Sequence, residues 1–271
     1  MSKNKIRLDE VTVSYGNGHS NSRFKFWNGR GRNGNGNKPK VILEEINLEI
    51  QAGEFVCFLG HSGCGKSTLL QIIAGFKRPS KGTVWIDDTV VNGPRADHVF
   101  VFQEGALFPW LTIAENVALA LRALKDPKER LAKAEYYLDL VALEGVGGHY
   151  PYMLSGGMRQ RAEIARALAA EPEILLMDEP FSGLDYLTRL QLREEMVNLH
   201  MMLPETTILF VTHDIDEALQ LSNRLIILTD PPAKIKCCRT IDVSHPRTLT
   251  HPTLSEMRSL IYHNLGVHTA I

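Results

Sequence analysis

The chain has no apolar run long enough to span a bilayer. Its longest apolar stretches, such as Glu173–Met177 and Thr207–Val211, are of strand length. That is far below the roughly 20 residues a transmembrane helix needs, so the chain is not expected to cross a membrane by itself. It also has no excess of either charge. Across 271 residues, 30 Lys and Arg stand against 31 Asp and Glu, for a net charge of −1. This argues against bulk electrostatic binding to nucleic acid or an anionic membrane. Cysteine is scarce. Cys57, Cys64, Cys237 and Cys238 show no framework spacing, and the adjacent pair is poor geometry for a bridge. Free thiols in a reducing compartment are expected. The N-terminus, MSKNKIRLDEVTV, lacks the apolar core of a signal peptide. What remains is ordinary globular composition, 44% hydrophobic and 7% aromatic, long enough to bury a core in one large or two modest domains.

Strand and helix signals alternate along most of the sequence. Residues 7–15 alternate as a half-exposed strand, and Val41–Ile50 resumes that pattern. Between them, residues 16–40 hold six Gly, six Asn and six Lys or Arg with no acidic residue. Such a stretch cannot bury a core and reads as a flexible insertion. Phe55–Leu59 is apolar throughout, as in a strand covered on both faces. Further strands are expected at Val99–Phe102, Glu173–Met177, Thr207–Val211 and Arg224–Leu228. Helices are expected after Gly60, from Thr112 (with Glu115 completing a capping box), from Asp126-Pro127 to about Val141, over 157–170, over 187–203, and behind Asp214 and Glu217. The class is α/β, a mainly parallel core with a helical patch between roughly 104 and 170.

The strongest chemical signal is Gly60-His61-Ser62-Gly63-Cys64-Gly65-Lys66-Ser67-Thr68. It matches G-x-x-x-x-G-K-[ST] and lies between a buried strand and an amphipathic helix, the context this phosphate loop requires. Its glycines let backbone N–H groups turn toward phosphate oxygens, and the helix adds its positive end. Lys66 can reach the β- and γ-phosphates, and the Ser67 hydroxyl can ligate Mg²⁺. Cys64 reads as a small residue rather than a reactive thiol. Downstream, Ile174-Leu175-Leu176-Met177-Asp178-Glu179-Pro180 ends a buried strand in two carboxylates. Strand alternation points them in different directions, Asp178 to the metal and Glu179 to an attacking water.

Leu154-Ser155-Gly156-Gly157-Met158-Arg159-Gln160-Arg161 is a second small, glycine-rich helix start, with a hydroxyl at Ser155 and a bare N–H at Gly157 suited to an anion. This octet resembles the signature of ATP-binding cassette (ABC) ATPases. Gln103 fits that family's Q-loop, Ser182-Gly183-Leu184-Asp185 its D-loop and His213 its switch histidine. Tyr15 fits the aromatic that stacks on adenine, although ordinary strand packing would also explain it. The resemblance covers about residues 5–230. Residues 16–40 are longer and more basic than the family's usual turn there, and Gly183 stands where Ala is common.

The resemblance implies a phosphate-loop core, an N-terminal antiparallel β subdomain and an inserted helical subdomain. It also implies ATP and Mg²⁺ as cofactors, with Ser67, Gln103 and Asp178 at the metal and Glu179, His213, Gln103 and Lys66 in hydrolysis. Two subunits, identical or paralogous, would pack head to tail, each signature (Ser155, Gly156, Gly157) and Asp185 facing the other's nucleotide. A membrane permease and, indirectly, a solute-binding protein would complete the assembly at the cytoplasmic face of the plasma membrane. The runs Phe102-Gln103-Glu104, Leu107–Thr112, Glu115-Asn116-Val117 and His213–Ala218 look like the nitrate/sulfonate/taurine/bicarbonate importer group. Trp110 is either a docking aromatic or a buried core residue. A soluble assembly-type or non-import ABC ATPase stays open as an alternative, and a kinase is disfavoured by the signature. The extension 231–271, with His245, His251, His263 and His268, shows no zinc-ligand spacing and reads as a strand plus a closing helix.

Overall fold

Apolar side chains on both faces force the larger of two sheets into the centre of the molecule. The computed structural model describes residues 4–16, 39–103 and 105–266. Residues 17–38 of the basic insertion, Glu104 and His268 lie outside them. In chain order, β1 (Asn4–Tyr15), β2 (Lys40–Gln51) and β3 (Phe55–Leu59) lead into α1 (Lys66–Ile73). Then come β4 (Lys81–Ile86), β5 (Thr89–Val90), β6 (His98–Val101), α2 (Ile113–Ala118), α3 (Pro127–Leu140) and α4 (Gly156–Ala169). The rest is β7 (Ile174–Asp178), α5 (Tyr186–Met202), β8 (Thr207–Thr212), α6 (Ile215–Leu221), β9 (Arg224–Leu228), β10 (Ile235–Thr240) and α7 (Pro252–Asn264).

The central sheet runs β10-β9-β3-β8-β7-β6, all parallel except β10. Every residue of β3, β7 and β8 is buried, which explains the apolar runs Phe55–Leu59, Ile174–Met177 and Ile208–Val211 within them. Alternate side chains serve two cores. Val56 and Phe58 pack with α1 and the smaller sheet, while Phe55, Cys57 and Leu59 pack with the helices opposite. The smaller sheet is antiparallel, ordered β2-β1-β4-β5. Its β4–β5 hairpin is not evident in the sequence, because Gly82 and the short Asp87-Asp88 turn break the alternation that would mark strands. The fold is α/β, as expected.

Local signals explain the helices. Thr112 and Glu115 make both bonds of the capping box, Thr112 Oγ1 accepting from Glu115 N and Glu115 Oε2 from Thr112 N. Asp126, Ser155, Asp185 and Asp214 cap α3, α4, α5 and α6 in turn. The second residue expected to cap α6, Glu217, does not. Its buried carboxylate accepts instead from Thr212 Oγ1 at 2.6 Å. The extension does form a strand and a helix, β10 and α7. It is fastened to the core by Arg247, whose guanidinium donates to the carbonyls of Leu219, Ser222, Ile241 and Val243. Burial lowers Arg247 to about 10 and, together with the charge of Arg247, lowers neighbouring His245 to about 4.

Candidate functional site

The C-terminal ends of β3, β7 and β8 lie flush, since Leu59 pairs with Thr212 and Asp178 with Val211. The chain leaves β3 directly into the phosphate loop, β7 into Glu179 and β8 into His213. Three segments far apart in sequence therefore meet at one sheet edge, the usual place for a ligand in parallel α/β folds.

Within the loop, Gly63 and Gly65 adopt φ of +78° and +108°, a backbone that side chains resist. Lys66 is buried, and its ammonium donates to the carbonyls of Gly60 at 2.8 Å and His61 at 3.0 Å. Ser67 Oγ donates to Asp178 Oδ1 at 2.8 Å. Burial raises the Asp178 carboxyl above its usual range. Cys64 is buried with its sulfur packed against Gly60, where an added Cβ would lie 2.8 Å from Sγ. Burial also pushes its thiol pKa up, so it is a packing residue in an inert environment. Ser62 and Gly63 are exposed at the loop tip. The exposed His61 pairs with Asp230 through Nδ1 at 3.0 Å.

Glu179 stands between two partners. One carboxylate oxygen lies 2.9 Å from His213 Nδ1 and the other 3.8 Å from Lys66 Nζ. Its direction does not come from strand alternation, as the sequence suggests. The strand ends at Asp178, and Glu179 turns away in a left-handed conformation at φ +46°, braced by Glu179 N to Val211 O. A carboxylate and an imidazole in contact beside a lysine ammonium can orient a water and hold its proton. Gln103 is exposed two residues past β6, whose pairing of Val101 with Met177 brings it out at the same edge as Glu179.

Tyr15 is brought to the loop despite the intervening insertion. Its hydroxyl is 3.5 Å from Thr68 Oγ1 and accepts from Lys77 Nζ at 2.8 Å. The second glycine-rich start is a separate place. Among the described residues no hydrogen bond or ion pair joins Ser155, Gly156, Gly157 or Asp185 to the phosphate loop. Ser155 Oγ accepts from Met158 N and Asp185 caps α5 through Thr188. Gly156 faces Leu184 and Gly157 faces Thr188, so the starts of α4 and α5 sit side by side. Gly157 is buried, and an added Cβ would lie 2.3 Å from Thr188 Cγ2. Close helix packing is thus one reason for this glycine, apart from any anion.

The sequence matches the ABC transporter family over residues 43–182. The chain belongs to the ABC transporter family. It is an ATP-binding cassette ATPase, and relatives named as importer subunits resemble it through most of their length. The aliphatic sulfonates import ATP-binding protein SsuB of Bacillus anthracis is 44% identical over 81% of this chain and 86% of its own. The nitrate import ATP-binding protein NrtD of Synechococcus elongatus is 44% identical over 72% of each. The bicarbonate transport ATP-binding protein CmpD of a Synechocystis species is 43% identical over 82% of this chain and 81% of its own. A solved dimer of an ATP-binding cassette, in a post-hydrolysis state with ADP and Pi, superposes with a TM-score of 0.71 at 32% identity. It covers 88% of this chain and 100% of that one.

Two features of this ABC ATPase were missed in the sequence. Asn116 is fully buried and clasps the loop Phe108–Thr112: its Oδ1 accepts from Phe108 N, and its two amide hydrogens are shared among the nearby carbonyls of Phe108, Leu111 and Thr112. That clasp leaves Trp110 outside, 69% exposed beside Phe108, which resolves its two readings in favour of a surface aromatic. Nearby, a cleft of about 410 Å³ is lined by Phe102, Phe108, Leu119, Arg122, Glu163 and Arg166. The second feature is a charge network behind His213, formed by Arg189 and Arg193 of α5 with Asp214 and Glu217. Arginines at i and i+4 resemble a solvated helix face until acidic partners from the next helix cover them. Among the described residues no helix is long and apolar enough to cross a membrane.

Proposed function

We propose that this ATPase is the ATP-hydrolysing subunit of an importer for a small anion of the nitrate, sulfonate, taurine or bicarbonate kind. Its relatives' names support that solute class. The observation that carries the mechanism is Glu179, held between Lys66 and His213 at the mouth of the phosphate loop. Glu179 orients the attacking water and takes its proton, while His213 fixes the carboxylate and faces the γ-phosphate. The Gly60–Thr68 loop and Lys66 bind the phosphates, and Tyr15 stacks on the base. Ser67 and Asp178, hard oxygen donors already in contact, suit Mg²⁺, with Gln103 at the same strand end. Bound there, the ion neutralises phosphate charge.

Head-to-tail pairing with a second subunit sets Ser155, Gly156, Gly157 and Asp185 against that subunit's ATP. Because each nucleotide then contacts both chains, ATP favours the closed pair and hydrolysis releases it. The exposed Trp110 and the cleft beside Phe108 suit a permease at the cytoplasmic face of the membrane. Affinity purification from native membranes in mild detergent, followed by mass spectrometry, tests this reading. A multi-span permease and a solute-binding protein are expected to co-elute. Recovery from the soluble fraction alone would instead favour a soluble assembly ATPase.

A further inference from the structure

The segment 179–185 and the segment 212–214 touch at two points. At one, Glu179 Oε2 meets His213 Nδ1. At the other, Arg189 reaches across with two different nitrogens: Nη2 donates to the Leu184 carbonyl at 3.3 Å, and Nη1 to Asp214 Oδ2 at 3.2 Å. Between the two ties lies a void of only about 10 Å³, bounded by Glu179, Phe181, Ser182, Thr212, His213 and Asp214. A backbone bond, Glu179 N to Val211 O, and the buried Phe181 hold the segments at their root, so the two side-chain ties govern how their outer ends sit.

Asp214 does not need Arg189 for its charge to be met. Arg193 is the buried cation here, donating to Asp214 Oδ2 at 3.0 Å and contacting Glu217. Asp214 Oδ1 is spent separately on the N–H groups of Asp216 and Glu217. What Arg189 adds is the link to the Leu184 carbonyl. That turn is also where the second glycine-rich motif leans. An added Cβ on Gly156 would touch Leu184, and Thr188 beside it packs on Gly157.

We infer that Arg189 is a positioning residue that couples the turn Ser182–Asp185, and through it the Ser155–Gly157 motif, to the seating of His213 on Glu179. This rests on the proposed roles of Glu179 and His213. Movement at the turn is transmitted through one guanidinium to the loop that carries the histidine, so each subunit's hydrolytic pair senses what occupies its own signature face.

The test is steady-state ATPase kinetics of the full chain with thermal melting. R189Q is expected to lower kcat about tenfold with KM for ATP within twofold, because Arg189 does not contact the phosphate loop, and with Tm within about 2 °C. R189K keeps a cation beside Asp214 and recovers part of the loss. D214N keeps a capping oxygen for α6 but weakens the tie, and should show the same kcat-selective loss even if R189Q folds poorly. The inference is overturned if R189Q and D214N leave kcat within twofold. It is equally overturned if their losses come with a fall in Tm that R189K does not relieve. H213A separates the two levels: if H213A turns over normally, the assignment of His213 itself has failed. If H213A is inactive while R189Q is normal, only the coupling has failed.

Discussion

Replacing Gly157 with alanine would place a methyl carbon 2.3 Å from Cγ2 of Thr188, where about 3.5–4.0 Å is comfortable. Thr188 cannot simply rotate away. Its hydroxyl donates to Asp185 Oδ2 at 2.6 Å and its backbone N–H to Oδ1 at 3.1 Å, and those bonds hold the start of α5. Either α4 and α5 move apart or the side-chain bond breaks. Overpacking costs about 1–3 kcal/mol, and the bond roughly 1 kcal/mol. Against this, alanine is favoured over glycine in a helix by up to about 1 kcal/mol. The expected net loss is about 1–2 kcal/mol, or roughly 2–8 °C in Tm for a chain of this size. Calorimetry or urea unfolding of G157A would measure it. T188S removes the offending methyl and keeps the hydroxyl, so G157A/T188S should regain most of the stability, a coupling of about 1 kcal/mol in a double-mutant cycle. If G157A melts like the parent, or T188S rescues nothing, close packing is not what requires glycine there.

E179Q should bind ATP within about twofold of the parent while turnover falls by roughly 10²–10⁴; with Mg-ATP it should elute as a dimer, and a monomeric, hydrolysing E179Q would contradict the assignment. Lowering His245 to about 4 makes the unfolded chain bind the extra proton, so stability present above pH 6.5 is lost as pH falls toward 4. Allowing for solvent screening at this half-buried position, the loss is about 1 kcal/mol. Urea titrations at pH 7 and 5 should show it in the parent and not in H245Q, and an equal slope in both would exclude His245 as the source. T112A removes one half of an intact capping box and should cost about 0.5–2 kcal/mol in the same assay, a loss that an unchanged midpoint would disprove.

Contiguous motifs were legible in the sequence where their physics is local. The phosphate loop needs only its own glycines and flanking elements, and Thr112, Asp126, Ser155 and Asp214 cap their helices within three residues of themselves. What escaped depends on residues brought together by the fold. The β4–β5 hairpin is specified by pairing with β1, because its own sequence is broken by Gly82. Glu217 reads as a cap until burial beside Thr212 gives it another partner. Gly157 reads as an anion-binding glycine, and only the fold adds a second reason for it in Thr188, 31 positions on. The contact of Glu179 with His213 joins the ends of two adjacent strands, and only the register of β7 on β8 sets it.

The left-handed backbone at Glu179 also bears on how this protein can be improved. An L-residue with a side chain held at φ +46° costs about 1 kcal/mol relative to glycine. Selection for heat tolerance alone sees that strain and not the work of the proposed water-orienting group. E179G would relieve that strain but give up the contacts to His213 and Lys66 and, on the proposed mechanism, turnover. A directed-evolution library for a robust variant should keep that codon fixed, or screen for turnover at every round. In any collection of sequences sharing this turn, glycine at the position would mark copies that have kept the fold after losing hydrolysis.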